Sequence, residues 1–367
     1  MVPNGWLHKQ IGEIASIQVG RDLVEDKYSE ISTTEYKYPV YSNTVENKGL
    51  YGFYNFPEYS GNAITIVGRG VGLGKAFARS PGESFGAIGR LLVLTPKNNS
   101  FDVIFFANYI NFALRIHNES GGIPQLPGAS LSKYFVMLPP LAEQQKIAQI
   151  LSTWDKAIAV TEQLLANSQQ QKKALMQQLL TGKKRLLDEN GARFEGEWEE
   201  FSLGNIAKVY QPKTISQSQL SFDGYPVYGA NGIIGYYCDF NHELEQIAVT
   251  CRGSTCGVVN WTMPKSWITG NAMVINVDNN SAISKKFLFY VLSNADLKYL
   301  ITGSGQPQIT GDIKNHVVHL ASFKEQKVIA QVLTIADQEI EVLQRKLDCL
   351  QQEKKALMQQ LLTGKRR

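Results

Sequence analysis

Lys172-Lys173-Ala174-Leu175-Met176-Gln177-Gln178-Leu179-Leu180-Thr181-Gly182-Lys183 returns without a change as Lys354-Lys355-Ala356-Leu357-Met358-Gln359-Gln360-Leu361-Leu362-Thr363-Gly364-Lys365. An identity this long at one constant offset marks a duplication, and a duplication fixes the architecture before any motif is read. Upstream of it, Glu143-Gln144 with Ile147-Ala148-Gln149 and Leu151 returns as Glu325-Gln326 with Ile329-Ala330-Gln331 and Leu333. Pro124-Gln125 with Gly128 matches Pro307-Gln308 with Gly311, and Arg69-Gly70 with Gly74 matches Arg252-Gly253 with Gly257. Tyr38-Pro39-Val40-Tyr41 matches Tyr225-Pro226-Val227-Tyr228, and Trp6 with Ile11-Gly12 matches Trp198 with Leu203-Gly204. The chain is written twice, each copy a globular segment followed by a helix-like one.

The helix-like segments carry a coiled-coil seam. Ile147, Leu151, Trp154, Ile158, Thr161, Leu165, Ser168, Lys172, Leu175 and Leu179 step alternately by four and three, and so do Ile329, Leu333, Ala336, Ile340, Leu343, Leu347, Leu350, Lys354, Leu357 and Leu361. That 3.5-residue period, flanked by Gln, Glu and Lys, predicts two long helices packed on each other. Pro139-Pro140 opens the first helix, Ser322 with Glu325 reads as a capping box for the second, and Gly182 and Gly364 close them. A helix over 143–179 would be roughly 55 Å long. If the copies obey a pseudo-twofold, the helices run antiparallel and the second returns the chain to the first globular segment. A homodimerising coiled coil is the competing arrangement.

The globular segments alternate short strand-like runs, such as Ala63-Ile64-Thr65-Ile66-Val67 and Gln246-Ile247-Ala248-Val249-Thr250, with Gly, Asn and Pro turns. Amphipathic helical stretches follow at 101–114 and 285–299. The expected fold is α+β: two globular α/β domains related by pseudo-twofold symmetry and joined by two long helices forming an antiparallel coiled coil. The predicted boundaries are 1–140 for the first domain, 141–182 for its helix, 183–197 for a linker, 198–321 for the second domain and 322–364 for its helix.

Composition narrows the function classes. The chain has 367 residues, 43% hydrophobic and 19% charged, with a formal net charge of +4, which permits a polyanionic partner without demanding one. No apolar run approaches membrane-helix length and no signal-like segment opens the chain, so a cytoplasmic location is expected. Cys238, Cys251, Cys256 and Cys349 form no Cys-x-x-Cys pair, so they read as reduced thiols, and no metal site is expected. The glycine-rich 68–75 stretch fails as a phosphate loop, because Arg69 stands where the first glycine is required and Ala76 replaces the magnesium-binding hydroxyl. A tight hairpin accounts for it better. No methyltransferase, nuclease or hydrolase motif is visible, so no catalysis is expected.

Between shared landmarks the copies diverge: residues 21–37 have almost nothing in common with 212–224. One scaffold carrying two loop sets suits a protein that reads two different short sequences. Base edges are matched by Arg for guanine and by Asn or Gln for adenine. The candidates are Arg21, Asn43, Arg69, Arg90 and Gln125 in the first copy, and Lys213, Asn231, Arg252, Gln308 and Lys314 in the second. The repeated Arg69, Arg252, Gln125 and Gln308 could equally brace the shared fold.

The Leu138-Pro139-Pro140-Leu141-Ala142-Glu143-Gln144-Gln145-Lys146-Ile147-Ala148 segment, the Leu-Met-Gln-Gln-Leu-Leu-Thr-Gly helix ends and the Tyr-Pro-Val-Tyr block with Gly229-Ala230-Asn231-Gly232 resemble the specificity subunit of type I restriction-modification enzymes. The resemblance spans essentially the whole chain. It implies two target-recognition domains, each reading half of an asymmetric, interrupted site in double-stranded DNA, with the coiled coil setting the gap. It also implies docking of two methyltransferase subunits, which modify adenines, and ATP-driven restriction subunits as further partners. S-adenosylmethionine, ATP and magnesium then belong to those partners and no cofactor to this chain. The second copy departs from the pattern at Leu320-Ala321-Ser322-Phe323, which puts the approach of its helix in doubt. The competing classes are a coiled-coil adaptor that never reads DNA and an enzyme with an unfamiliar site.

Overall fold

The computed structural model describes residues 3–118, 121–230, 232–303 and 305–365. The chain divides into two compact units, Met1–Glu162 with Lys346–Arg367, and Gln163–Arg345. The division cuts through both long helices, so each unit owns one globular segment, the start of its own long helix and the end of the other copy's.

In the first unit an antiparallel four-stranded sheet has the order Ala15–Val19, Leu92–Pro96, Ala63–Ile66 and Ala76–Arg79. Ala63–Ile66 is buried along its whole length, as its unbroken apolar run requires. A second sheet orders Tyr28–Ser29, Leu50–Tyr54, Tyr38–Tyr41 and Gly86–Ala87, its last pairing parallel. Leu7–Gln10 pairs with Phe135–Leu138 and closes the domain next to the long helices. Helix α1 (Ile11–Ile14) turns the chain into the first sheet. Helix α2 (Val103–Ala113) packs on that sheet and starts at Asp102, whose Oδ1 accepts from the amides of Ile104 and Phe105 at 2.9 Å. Helix α3 (Gly128–Leu131) follows the recurrent Pro-Gln segment.

Helix α4 (Leu141–Leu179) has its apolar stripe buried at Ile147 and Leu151 and, in the second unit, at Leu165 and Leu179. The second unit repeats the plan. Its four-stranded sheet runs Lys208–Tyr210, Ala272–Asn276, Ile247–Thr250, Val259–Trp261, and its second sheet Gly232–Tyr237, Tyr225–Gly229, Trp267–Ile268. Glu199–Ser202 pairs with Val317–Leu320. Helices α5 (Leu203–Ile206), α6 (Lys285–Asn294) and α7 (Phe323–Leu361) match α1, α2 and α4. Helix α6 stops short of the amphipathic stretch that predicted it, because the Asp296 carboxylate caps the Lys298 amide and starts a separate turn.

The helix pairing is antiparallel within each unit. In the first, Ile147, Ala148 and Leu151 share one core with Leu361 and Leu362, while Lys354 reaches Asp155. In the second, Leu179 and Leu180 share a core with Ile329, Ala330 and Leu333, while Lys172 pairs with Asp337. Trp154, Ile158, Leu175, Ile340, Leu343, Leu350 and Leu357 are half-buried along the same stripes, and Leu347 is buried. Gly182 and Gly364 end the helices with φ of 68° and 67°, a conformation in which glycine is unstrained. Each glycine is also a seat. Trp198 lies over Gly182, and Pro3 and Trp6 lie over Gly364 so closely that a Cβ there would come within 2.6 Å of the proline ring.

The recurrent Glu-Gln pair explains how a globular segment grips its helix. Gln144, 1% exposed, donates to the Pro139 carbonyl at 2.9 Å and accepts from the Asp102 amide at 2.9 Å. Gln326 does the same with the Ala321 carbonyl at 2.8 Å and the Ser284 amide at 2.9 Å. Replacing Pro139-Pro140 by Ala321-Ser322 therefore leaves this anchor intact. The expected capping box is only half formed. The Ser322 hydroxyl accepts from the Glu325 amide at 3.4 Å, but the Glu325 carboxylate turns to Arg185 at 2.6 and 2.7 Å. A bidentate guanidinium satisfies a fully buried carboxylate better than one backbone amide does.

Candidate nucleic-acid interface

All five candidates of the first copy come from loops at one end of its four-stranded sheet. The Gly89 amide donates to the Arg21 carbonyl at 2.9 Å and the Arg90 amide to the Gly20 carbonyl at 3.2 Å. Arg69 bridges Gln125, with Gly70 donating to the Pro124 carbonyl and Leu126 to the Gly68 carbonyl, both at 2.9 Å. Asn43 joins the two groups: its Oδ1 accepts from the Gly68 amide at 2.8 Å and its Nδ2 donates to the Gly89 carbonyl. Arg21, Arg69 and Arg90 are exposed, whereas Asn43 and Gln125 are half-buried. Asn43 thus uses both ends of its amide inside the protein, and its observed work is bracing. Arg90 stands with φ of 66° in a turn where glycine or asparagine is easier. The 68–75 stretch is the hairpin its glycines suggested, with left-handed Gly70, Gly72 and Gly74 and Val71 89% exposed at its tip.

The second copy assembles a corresponding loop end from different side chains. Arg252 bridges Gln308, with Gly253 donating to the Pro307 carbonyl and Ile309 to the Cys251 carbonyl, both at 3.0 Å. Gln211 Nε2 reaches Cys251 Sγ at 3.1 Å, Thr214 Oγ1 accepts from the Gly270 amide at 3.1 Å, and the Lys213 carbonyl accepts from Trp267 Nε1 at 3.1 Å. Lys213 and Arg252 are exposed there. Asn231 lies outside the described residues; the carbonyl of neighbouring Ala230 accepts from Thr250 and Thr255 at 2.7 and 2.8 Å. Lys314 is not part of this group. Its turn, Gly311–Asn315, packs on α5, and a Cβ on Gly204 would meet Lys314 Cβ at 3.1 Å. The chain has by then turned back toward the strand Val317–Leu320, at the other end of Lys208–Tyr210 from Lys213.

One segment escaped the sequence reading. The turn between Tyr38–Tyr41 and Leu50–Tyr54 places Asn47, Lys48 and Gly49 consecutively in left-handed backbone, with φ of 43°, 54° and 88°. It is locked from behind by Arg79, 3% exposed, which donates to the Lys48 carbonyl at 2.6 Å and to Thr65 Oγ1 at 2.9 and 3.1 Å, and lies 3.3 Å from the centre of the Tyr41 ring. Tyr41 in turn donates to Glu83 Oε1 at 2.7 Å, and burial pushes its phenol up to about 12. The Asn-x-Gly spelling was a visible turn signal; the buried arginine behind it was not.

Among the described residues no group of three or more His, Cys, Asp or Glu is placed to hold a metal ion. None of their helices is long and apolar enough to cross a membrane. The loop ends present cations and amides, which are groups for contacting polyanions and base edges.

Against known proteins, the family described as "Type I restriction modification DNA specificity domain" matches twice, over residues 3–167 and 195–352. The chain belongs to this type I DNA specificity family. A Mycoplasma pneumoniae chain provisionally named as a type I specificity subunit is 27% identical over 337 residues, covering 88% of this chain and 87% of that one. The Methanocaldococcus jannaschii MjaVIII type I restriction enzyme specificity subunit is 22% identical, covering 99% and 93%. The solved S subunit of the M. genitalium type I system shares the fold, with a TM-score of 0.75 at 18% identity over 98% and 99% of the two chains. The two matched stretches each contain one globular segment, so the loop ends described above belong to two specificity domains. In both domains the arginine-glutamine bridge is retained while the loops around it differ.

Proposed function

We propose that the two specificity domains each read one half of an interrupted DNA site, the helix pair fixing the gap between halves and offering a platform for two methyltransferase subunits. The supporting observation is the pair of loop ends: equivalent strand ends carry Arg21, Asn43, Arg69, Arg90 and Gln125 in one domain, and Lys213, Arg252 and Gln308 in the other. A retained frame with unlike exposed side chains suits two different half-sites. Half-sites approached from one face of the duplex want centres about 34–36 Å apart. In this reading the chain works in the cytoplasm and performs no chemistry. S-adenosylmethionine, ATP and magnesium belong to partner subunits, restriction subunits among them. Adenine modification needs the base out of the stack, which bending by this subunit would assist.

Methylome sequencing of a host expressing the chain with its methyltransferase subunit should reveal one bipartite motif. Replacing residues 1–140 with the corresponding segment of a relative should change one half of that motif and leave the other and the gap intact. Altered preference in both halves, or methyl transfer by the pure chain alone, would overturn the reading. A random duplex pool from which nothing is enriched would point to the adaptor instead.

A further inference from the structure

We propose that Lys48 is a phosphate anchor of the first specificity domain and that buried Arg79 is the positioning residue that holds it out. The inference rests on the DNA-reading function above and adds to it a residue outside the sequence candidates. Left-handed backbone suits glycine, is tolerated by asparagine and is unfavourable for lysine, whose side chain gains nothing local from it. In Asn47-Lys48-Gly49 the first and third residues fit their conformation and the second does not. Gly49 is favoured at its φ of 88°, and a Cβ there would sit tightly, 3.2 and 3.3 Å from the Ser42 and Thr44 carbonyl oxygens. Strain of this kind persists only where the surroundings over-determine it. Here they do so through a guanidinium buried beneath the turn and bonded to the carbonyl of the strained lysine itself.

The turn is also in the right place. The Ser42 amide donates to the Gly49 carbonyl at 2.9 Å and closes it, Asn43 ties it to Gly68 and Gly89, and Val45 packs on Gly72 of the exposed hairpin. Lys48 thereby lies on a loop tied through Asn43 to Gly68 and Gly89, the chain neighbours of Arg69 and Arg90. Its side chain is exposed, and among the described residues it makes no hydrogen bond or ion pair. Among the described residues the second copy has no arginine-braced turn of this kind. At the repeat offset Arg79 is replaced by buried Thr262, which accepts from the Gln246 amide at 2.8 Å, and Gly229 pairs directly with Gly232 across a shorter loop. Lys265 of the second copy also has a positive φ, of 49°, so the distinguishing feature is the buried arginine bonded to the Lys48 carbonyl, and this brace, lying among the loops of one copy, belongs to recognition rather than to the shared frame. A compact ammonium on a flexible stem suits a phosphate oxygen better than a base edge.

The test uses the full chain in complex with its methyltransferase subunits, and a duplex enriched from a random pool by the wild-type complex. Lys48→Gly removes the ammonium and relieves the backbone, so its Tm should be no lower than wild type. Its log-log salt slope should be shallower by about 0.9, so that the affinity ratio to wild type changes roughly 3.5-fold between about 50 and 200 mM salt. Sequence preference should be unchanged, Lys48→Arg should keep the wild-type slope, and Arg79→Met should lose it with Lys48 in place. A Lys48→Gly slope equal to wild type, or a changed base preference, would overturn the assignment while leaving DNA reading intact. A wild-type complex with no salt-dependent affinity would remove the reading beneath it, and this one with it.

Discussion

Glu143 and Glu325 hold equivalent positions, yet the first accepts from Trp6 Nε1 at 3.3 Å and the second is claimed by Arg185. The Trp198 indole N–H, which would otherwise repeat the Trp6 contact, is left buried with no partner among the described residues. Such substitutions within one frame could not be read from the repeat, because Arg185 comes from the connector and meets Glu325 only after folding. Asn43 is a similar case: its residue type suggested adenine, and only the closed loops show both amide ends engaged. Tyr41 yields a prediction at this scale. Its folded phenol is pushed up to about 12, mainly by burial, against about 10 in an unfolded chain. The folded state therefore keeps the proton longer, so this stabilisation is complete below pH about 10 and is lost as pH rises toward about 12. Urea unfolding across that window should show the first domain weakening, and Tyr41→Phe should flatten the dependence. An unchanged slope in the variant would assign the loss to other groups.

At the scale of elements, helices were the most legible part, because a period of four and three is local and survives any tertiary context. The strand runs at 63–67 and 246–250 were visible for the same reason. Their pairings were not: Tyr38–Tyr41 lies parallel to Gly86–Ala87 across a long intervening stretch, and nothing local specifies that register. The polar seam positions had no evident purpose in sequence, and the structure supplies one. Lys172 with Asp337 and Lys354 with Asp155 are the same pair at the repeat offset, and Ser168 adds a 3.1 Å contact to Glu339. These pairs join particular turns of one helix to particular turns of the other. Reversing one charge, as in Asp155→Lys, should lower stability by about 1 kcal/mol, and adding Lys354→Asp should recover most of it. A double-mutant cycle in thermal unfolding with no coupling would show that the apolar stripe alone sets the register.

At the scale of the molecule, duplication was the decisive signal, and it carried the fold because each copy must bury its helix against something of matching pattern. The loop ends were legible only as a list of residue types; folding brought five of the first copy's candidates together and left Lys314 elsewhere. A separate consequence lies in the seat that Gly364 provides for Pro3 and Trp6. The first and last described residues of the chain lie within easy reach of a short peptide. Sealing them with a few glycines and opening the exposed turn between Asn190 and Gly191 should give a circular permutant with the copies in reversed order. Its methylated motif should match the parent's; a permutant that folds but marks a different motif would show that connectivity, rather than packing, orients the reading heads. If the motifs match, the order in which a ribosome makes the two heads is a matter of history, open to rearrangement wherever a gene can be cut and rejoined.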